Sequence, residues 1–289
     1  MLFKPVILWT DALIYLLVVV VIAFAWYVRH HEHLLAPWRR VGHSASGMAA
    51  LTLLVFFIAA GLLDSVHFRP AVESKSSGNA EKAYSVEVLS LLDVIATPLR
   101  TRVEKTYSAP FAAHLYAKET VELADGVQAR EFPRLKFGGA HLQNPEQQLA
   151  ADVAERALAG AGLGLLVWGL LAALLNALLA HRHGKNFSLM LYAIGRGETD
   201  VPWHSVLITL ALILMLSGAA LALSTHYHLL GTDKVGQDVF YQSLKSIRTG
   251  LVIGTLTTLV MLPFALLLGI MAGYFRGWVD DVIQYLYTT

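Results

Sequence analysis

The sequence predicts an all-α polytopic membrane protein, with five transmembrane helices, the start of a sixth, and a small α+β insert outside the cytoplasm. Three observations carry that expectation. The 289 residues are 56% hydrophobic and only 15% charged, whereas an ordinary soluble domain carries about 25% charged residues. The charges are unevenly placed: residues 67–157 hold 11 basic and 12 acidic side chains, and the remaining 198 residues hold only 20. Five segments run largely apolar for about 20 residues, the length that crosses a hydrocarbon core about 30 Å thick at 1.5 Å per residue.

Whole classes of function are excluded by the same numbers. With 22 Lys and Arg against 21 Asp and Glu, the net charge of +1 lacks the cationic footprint of a nucleic-acid binder. The absence of cysteine removes disulfides, thiolate metal sites and cysteine nucleophiles.

The first span is expected from about Val6 to Val28, interrupted only by Asp11. It ends in Trp26, Tyr27 and Arg29 rather than a small-residue cleavage site, so it reads as a retained anchor and not a signal peptide. The second runs from about Ala45 to Leu63 without a charge, closing an N-terminal unit of residues 1–66. The insert, 67–157, begins with the loop-like run Ser74 to Asn79. Val86, Leu89, Leu92 and Val94 follow at a roughly helical period. Residues 119–132 alternate around Asp125-Gly126, a hairpin signal. Asn144-Pro145 reads as a cap followed by proline at the first helical position, opening a helix that continues into the third span. That span, about Leu158 to Ala180, and its following loop form residues 158–200. The fourth runs from about Val201 to Ser224 and the fifth from Thr249 to Gly273.

Orientation comes from the short loops. Arg29, Arg39 and Arg40 follow the first span, and Arg182, Lys185 and Arg196 follow the third. Basic residues near span ends mark the cytoplasmic side. The N-terminus and the insert are therefore expected outside, and the segment after Gly273 inside.

Residues 229–281 are the least generic part of the chain. After the turn at Leu230, Gly231, Thr232 and Asp233, the apolar residues Val235, Val239, Phe240, Leu244, Ile247 and Leu251 share one helical face. Asp238, Gln242, Lys245 and Arg248 fill much of the remainder. Thr232 or Asp233 is expected to cap this amphipathic helix, which should lie along the membrane interface. Gly250 and Gly254 open the fifth span at GxxxG spacing, and Gly269 and Gly273 repeat it at the other end, a pattern that lets another helix approach.

The wording of this stretch resembles the start of the permease domain in bacterial ABC importers of the dipeptide, oligopeptide and nickel class. Leu230, Gly231, Thr232, Asp233, Gly236 and Asp238 match the family's L-G-T-D-x-x-G-R-D stretch, with Gln237 standing where arginine is common. Gly273, Tyr274, Gly277, Trp278 and Asp280 match its G-Y-x-x-G-W-x-D stretch. The resemblance covers about 60 residues, or residues 201–289 if the fourth span is the family's first helix. It implies a transport subunit without catalytic residues, cofactor or metal. Its implied partners are a second permease subunit, cytoplasmic ABC ATPase subunits and an extracytoplasmic solute-binding protein, and its implied location is the bacterial inner membrane. The family's E-A-A…G coupling loop would come after Thr289, so the sequence is expected to be an N-terminal fragment.

Other features point elsewhere and are set aside. His30, His31 and His33 flank Glu32 but read as a solvated basic collar, and Leu35 excludes HExxH. His226 and His228 read as interfacial, and Asp11 as reaching the interface from the outer end of its span. Asn176 reads as a bond to a neighbouring helix. Gly160, Gly162 and Gly164 follow no strand and are not a dinucleotide fingerprint. The competing reading is a non-transporting scaffold or sensor acting through residues 67–157.

Overall fold

The computed structural model describes residues 3–72, 83–122, 128–275 and 277–288. The chain opens with strand β1 (Phe3–Val6) and helix α1 (Trp9–Arg29), turns through the short helix α2 (Glu32–His43), and returns in α3 (Ala45–Ser65). The expected first span thus starts three residues late. Phe3 to Val6 pair antiparallel with Pro70 to His67 of strand β2 (His67–Val72), which draws the N-terminal residues out of the helix. Tyr15 Oη donates to the Ser65 carbonyl at 2.8 Å, so the start of α1 and the end of α3 sit together.

Beyond β2 the insert is built from short pieces. Strands β3 (Ala83–Tyr84) and β4 (Leu89–Ser90) both pair with β2. The one-turn helices α4 (Leu91–Ile95) and α5 (Thr97–Thr101) follow. The helical period expected from Val86 to Val94 is therefore broken: Val86 is 90% exposed in a bend, and the helix begins only after Ser90. Ser90 Oγ accepts from the Asp93 N–H, and Asp93 accepts from the Ser90 N–H, a reciprocal cap that fixes the start. Strands β5 (Glu119–Glu122) and β6 (Gln128–Glu131) pair antiparallel as the expected hairpin. Its Asp125-Gly126 turn lies outside the described residues, as does the run from Ser74 to Asn79.

Helix α6 (Pro145–His183) is a single helix of 39 residues, so the insert does lead directly into the third span. Pro145 takes the first helical position, but the Asn144 side chain makes no cap. Gln148 Oε1 instead accepts from the Gln143 and Asn144 N–H groups, both at 3.2 Å. Helix α7 (Phe187–Arg196) connects α6 to α8 (Trp203–Ser224). Asn176 Nδ2 donates to the Phe187 carbonyl at the start of α7, the expected bond to a neighbouring helix.

Helices α6 and α8 form the tightest contact in the bundle, and glycine makes it possible. A Cβ at Gly160 would lie 2.4 Å from the Gly218 carbonyl oxygen, and one at Gly164 would lie 2.2 Å from that of Leu214. Trp168 Nε1 adds a 2.8 Å hydrogen bond to the Leu207 carbonyl. This small-residue seam is the chemistry that brings helices together where water supplies no hydrophobic drive. Reading Gly160 and Gly164 only against a nucleotide motif missed it, although their i, i+4 spacing was visible.

The last elements are α9 (Val239–Phe275) and α10 (Trp278–Thr288). The amphipathic segment and the fifth span are one continuous helix of 37 residues, not an interfacial helix followed by a span. Nothing between Ser246 and Gly250 breaks it. The five helices α1, α3, α6, α8 and α9 are each long and apolar enough to cross a membrane. Their connectivity gives the bundle two ends: an insert face, where the described residues between 67 and 144 sit, and a far face with α2 and α7.

Candidate functional site

Two buried polar networks at the insert face hold the start of α9, and the matched turn residues lie in the first. Gly231 and Gly236 both adopt left-handed backbone, φ +74° and +78°. A side chain at either would strike the insert: a Cβ at Gly231 would lie 2.2 Å from the Ser108 carbonyl oxygen, and one at Gly236 only 1.8 Å from that of Glu104. Both glycines thus serve a turn geometry and a close backbone approach at once. The Glu104 N–H donates to the Gly236 carbonyl at 2.8 Å, and the Thr232 N–H to the Ser108 carbonyl at 3.3 Å. Thr232 Oγ1 donates to the Thr106 carbonyl at 2.7 Å. Segment 104–108 of the insert is therefore seated on the 231–236 turn.

Capping differs from expectation. Asp238 Oδ1 accepts from the Tyr241 N–H at 3.1 Å and caps α9. Thr232 is occupied with the insert, while Asp233 Oδ1 closes its own turn by accepting from the Val235 and Gln237 N–H groups. Leu230 remains half-exposed beside them.

His228 is the centre of this network and is buried, which overturns its interfacial reading. Its Nδ1 lies 2.6 Å from Asp238 Oδ2 and its Nε2 lies 3.4 Å from Glu104 Oε1. Both ring nitrogens face carboxylates, so both carry hydrogen. Burial alone would lower its pKa, but the bonds to Asp238 and Glu104 outweigh it and raise the imidazole to about 9. Burial likewise favours a neutral Glu104, yet His228 and the N–H groups of Lys136, Phe137 and Gly138 hold its carboxyl at about 2. His226, by contrast, is only partly buried, against Arg156 and Thr225.

The second network joins α9 to α1, α3 and α4. Lys245 Nζ lies 2.8 Å from Asp93 Oδ1 and 3.2 Å from Asp64 Oδ1. Arg248 Nη2 lies 2.7 Å from Asp11 Oδ1, and Arg248 also bonds Thr10. Asp11, expected to reach the interface, has no exposure at all. His67 Nδ1, 2.9 Å from Asp11 Oδ2 and 3.3 Å from the Ser65 carbonyl, faces two acceptors and carries the hydrogen. Ser90 Oγ donates to Asp64, and Tyr241 Oη to Asp93 at 2.6 Å. Burial would raise the Asp93 carboxyl, but the bonds from Lys245 and Tyr241 bring it down to about 2.

Lys245 and Arg248 read in the sequence as a polar remainder. They are in fact counter-ions to carboxylates up to 237 residues away. Asp64 and Glu104 gave no local signal, because each is an isolated acid whose partner arrives only on folding, whereas Asp93 showed only its local cap with Ser90 and not its pairing with Lys245.

The remaining matched residues behave otherwise. Among the described residues, nothing lies within 4 Å of a Cβ added at Gly250, Gly254, Gly269 or Gly273. Tyr274 and Trp278 are 78% and 76% exposed, and Gly277 makes the left-handed turn (φ +65°) between α9 and α10. Asp280 lines an 810 Å³ cleft between those helices and accepts from Gln284. The two matched stretches thus lie at opposite ends of α9, one fastened and one bare.

Comparison with known proteins agrees with the resemblance. Over 57 residues the chain is 39% identical to the glutathione transport system permease protein GsiD of Pectobacterium atrosepticum, covering 20% of this chain and 19% of that protein. Over 59 residues it is 32% identical to the oligopeptide transport system permease protein OppC of Mycobacterium tuberculosis, covering 20% of each. The chain therefore matches about a fifth of the length of these relatives. No family model matches it, and no solved structure matches it. Five helices among the described residues are long and apolar enough to cross a membrane, and about a fifth of the chain is similar to ABC peptide permeases, so the chain is a multi-pass membrane protein with a permease-like segment.

Proposed function

We propose that this chain is a permease subunit of an ATP-driven ABC importer for peptides or a similar small solute, in a bacterial inner membrane. The observation that carries the reading is the pair of matched stretches, Leu230 to Asp238 and Gly273 to Asp280, at the two ends of one spanning helix. On this reading the insert lies outside and the far face, with Arg29, Arg39, Arg40, Arg182 and Lys185, lies inside. Residues 201–289 contribute the permease part, residues 1–66 and 158–200 are accessory spans, and 67–157 is the outside insert. A second permease subunit packs on the open glycines Gly250, Gly254 and Gly269. ATPase subunits act at the inner end of α9, and a solute-binding protein docks from outside. Solute crosses by alternating access, which requires ATP to favour one state of the complex over the other.

The seating of segment 104–108 on the permease turn supports an insert that works with the transport unit rather than as a separate sensor. The test is uptake of labelled di- and oligopeptides by cells with and without the gene, combined with co-purification of an ATPase subunit. Loss of uptake with an ATPase bound supports the importer. Unchanged uptake and no ATPase would favour the scaffold reading. Removing 70–150 is a poor test, because it strips the partners of Gly231, Gly236 and His228 along with the insert.

A further inference from the structure

We propose that the far-face cleft between α6, α7 and α8 binds the headgroup of a phospholipid that carries both a phosphate and a primary ammonium, as phosphatidylethanolamine does. The cleft has a volume of 440 Å³, and its lining combines Arg182 and Lys185 with Asp200, Thr199, Met190 and Trp203.

Its position is set by connectivity. The α6 span ends at His183 and the α8 span begins at Trp203, so the cleft opens where the hydrocarbon core gives way to headgroups. Trp203 at its wall is the residue type that settles at this level. Helix α7 is apolar on both sides. Its inner residues Met190 and Ile194 pack on Leu179 and Ala180, while Phe187, Leu191 and Tyr192 are about half-exposed on the outside. At 10 residues α7 is too short to span, and it sits between two spanning helices with its outer apolar residues exposed, so it lies at the membrane boundary.

The charges in the cleft select the headgroup. Among the described residues, neither Arg182 nor Lys185 has a side-chain partner, and the Asp200 carboxylate has none. Glu198, the other acid in the lining, is 3.8 Å from Arg196. Two free cations suit a phosphate, and guanidinium binds phosphate oxygens through paired N–H donors. A free carboxylate beside them suits an ammonium with hydrogens to donate. A choline headgroup has no such hydrogen, and a glycerol headgroup has no cation. The same mixture of signs argues against free inorganic phosphate, which would leave Asp200 facing an anion.

Native mass spectrometry of the purified full chain, offered phosphatidylethanolamine, phosphatidylglycerol and phosphatidylcholine of matched acyl chains, tests the assignment. The expected result is one retained phosphatidylethanolamine, preferred about tenfold over either competitor, a difference of about 1.4 kcal/mol. R182Q/K185Q should lose that lipid. D200N should keep a bound lipid but no longer distinguish the ethanolamine from the glycerol headgroup. R39Q/R40Q removes the same charge from the same face outside the cleft and should bind as the wild type does. All five side chains are exposed, so folding is retained. Equal retention of the three lipids by the wild type would overturn the proposal. So would equal losses in R39Q/R40Q and R182Q/K185Q, or displacement of the lipid by millimolar inorganic phosphate.

Discussion

Helices α6 and α9 are the two longest in the molecule, at 39 and 37 residues, and both carry glycines four apart. Their situations are opposite. The α6 glycines are filled by the backbone of α8, and Trp168 and Asn176 add bonds to neighbours along the same helix. The α9 glycines face nothing, and no residue of α9 is buried. What fastens α9 is charge, through Lys245 and Arg248, together with the capped turn that precedes it. Glycine spacing therefore marks where a helix can be approached, while the partner decides whether the approach happens. Among the described residues, Gly160 and Gly164 of α6 have their partner and the glycines of α9 do not.

Breaking the charges should have the largest effect. Arg248→Gln removes the cation from a fully buried Asp11, and losing one partner of a buried pair costs about 3–5 kcal/mol. A correspondingly lower Tm in detergent is expected, and the double variant R248Q/D11N should recover much of it. Recovery would separate loss of the pair from loss of the arginine stem.

Forcing a side chain into the α6 seam comes next. Gly164→Val must push the Leu214 backbone aside, and overpacking of this kind costs about 1–3 kcal/mol. Gly254→Val on α9 should change Tm by less than about 0.5 kcal/mol equivalent in the isolated chain. If a second permease does pack there, the same variant should weaken the assembled complex. That pairing sharpens the contrast into a test of assembly.

A pH dependence at the cap tests the charges that hold the start of α9 without a change at α6 or in the glycines of α9. The folded pKa of His228, about 9, lies above its usual 6.5, so its contribution is complete below about pH 6.5 and is lost as pH rises through 9. Glu104, held at about 2 against its usual 4.5, contributes above about pH 4.5 and loses that only as pH falls through 2. The Tm gap between wild type and H228Q should therefore be flat from about pH 5 to 6.5 and shrink by pH 10. A constant gap would show that the imidazolium charge is not what holds the network.

The sequence reveals what is local and hides what is remote. Span lengths, the 119–131 hairpin and Pro145 as a helix start all depend on neighbours a few residues away, and all are legible. Asp11 is misread because its counter-ion lies on α9. Lys245 and Arg248 are misread because periodicity shows which side of a helix is polar, but not whether water or a carboxylate covers it. Gly231 and Gly236 are legible as a matched turn. Their second duty, making room for the backbone at Ser108 and Glu104, needs a contact that no spacing announces. His228 shows the same limit: four residues past the end of the fourth span at Ser224 it reads as interfacial, and Glu104, 124 residues away in sequence, faces its Nε2 only on folding.

The fastening of α9 at one end has a geometrical consequence. The ion pairs lie before Leu251, and Leu251 itself meets Gly61 of α3. The 24 residues from there to Phe275 extend about 36 Å at 1.5 Å per residue. A lever of that length turns a 10° tilt at its pivot into about 6 Å of travel at its tip. Pro263 stands midway along the arm, where its missing N–H leaves the Leu259 carbonyl without its helical partner. The arm therefore has a gap in its hydrogen-bond ladder midway between the ion pairs and the exposed Tyr274 and Trp278.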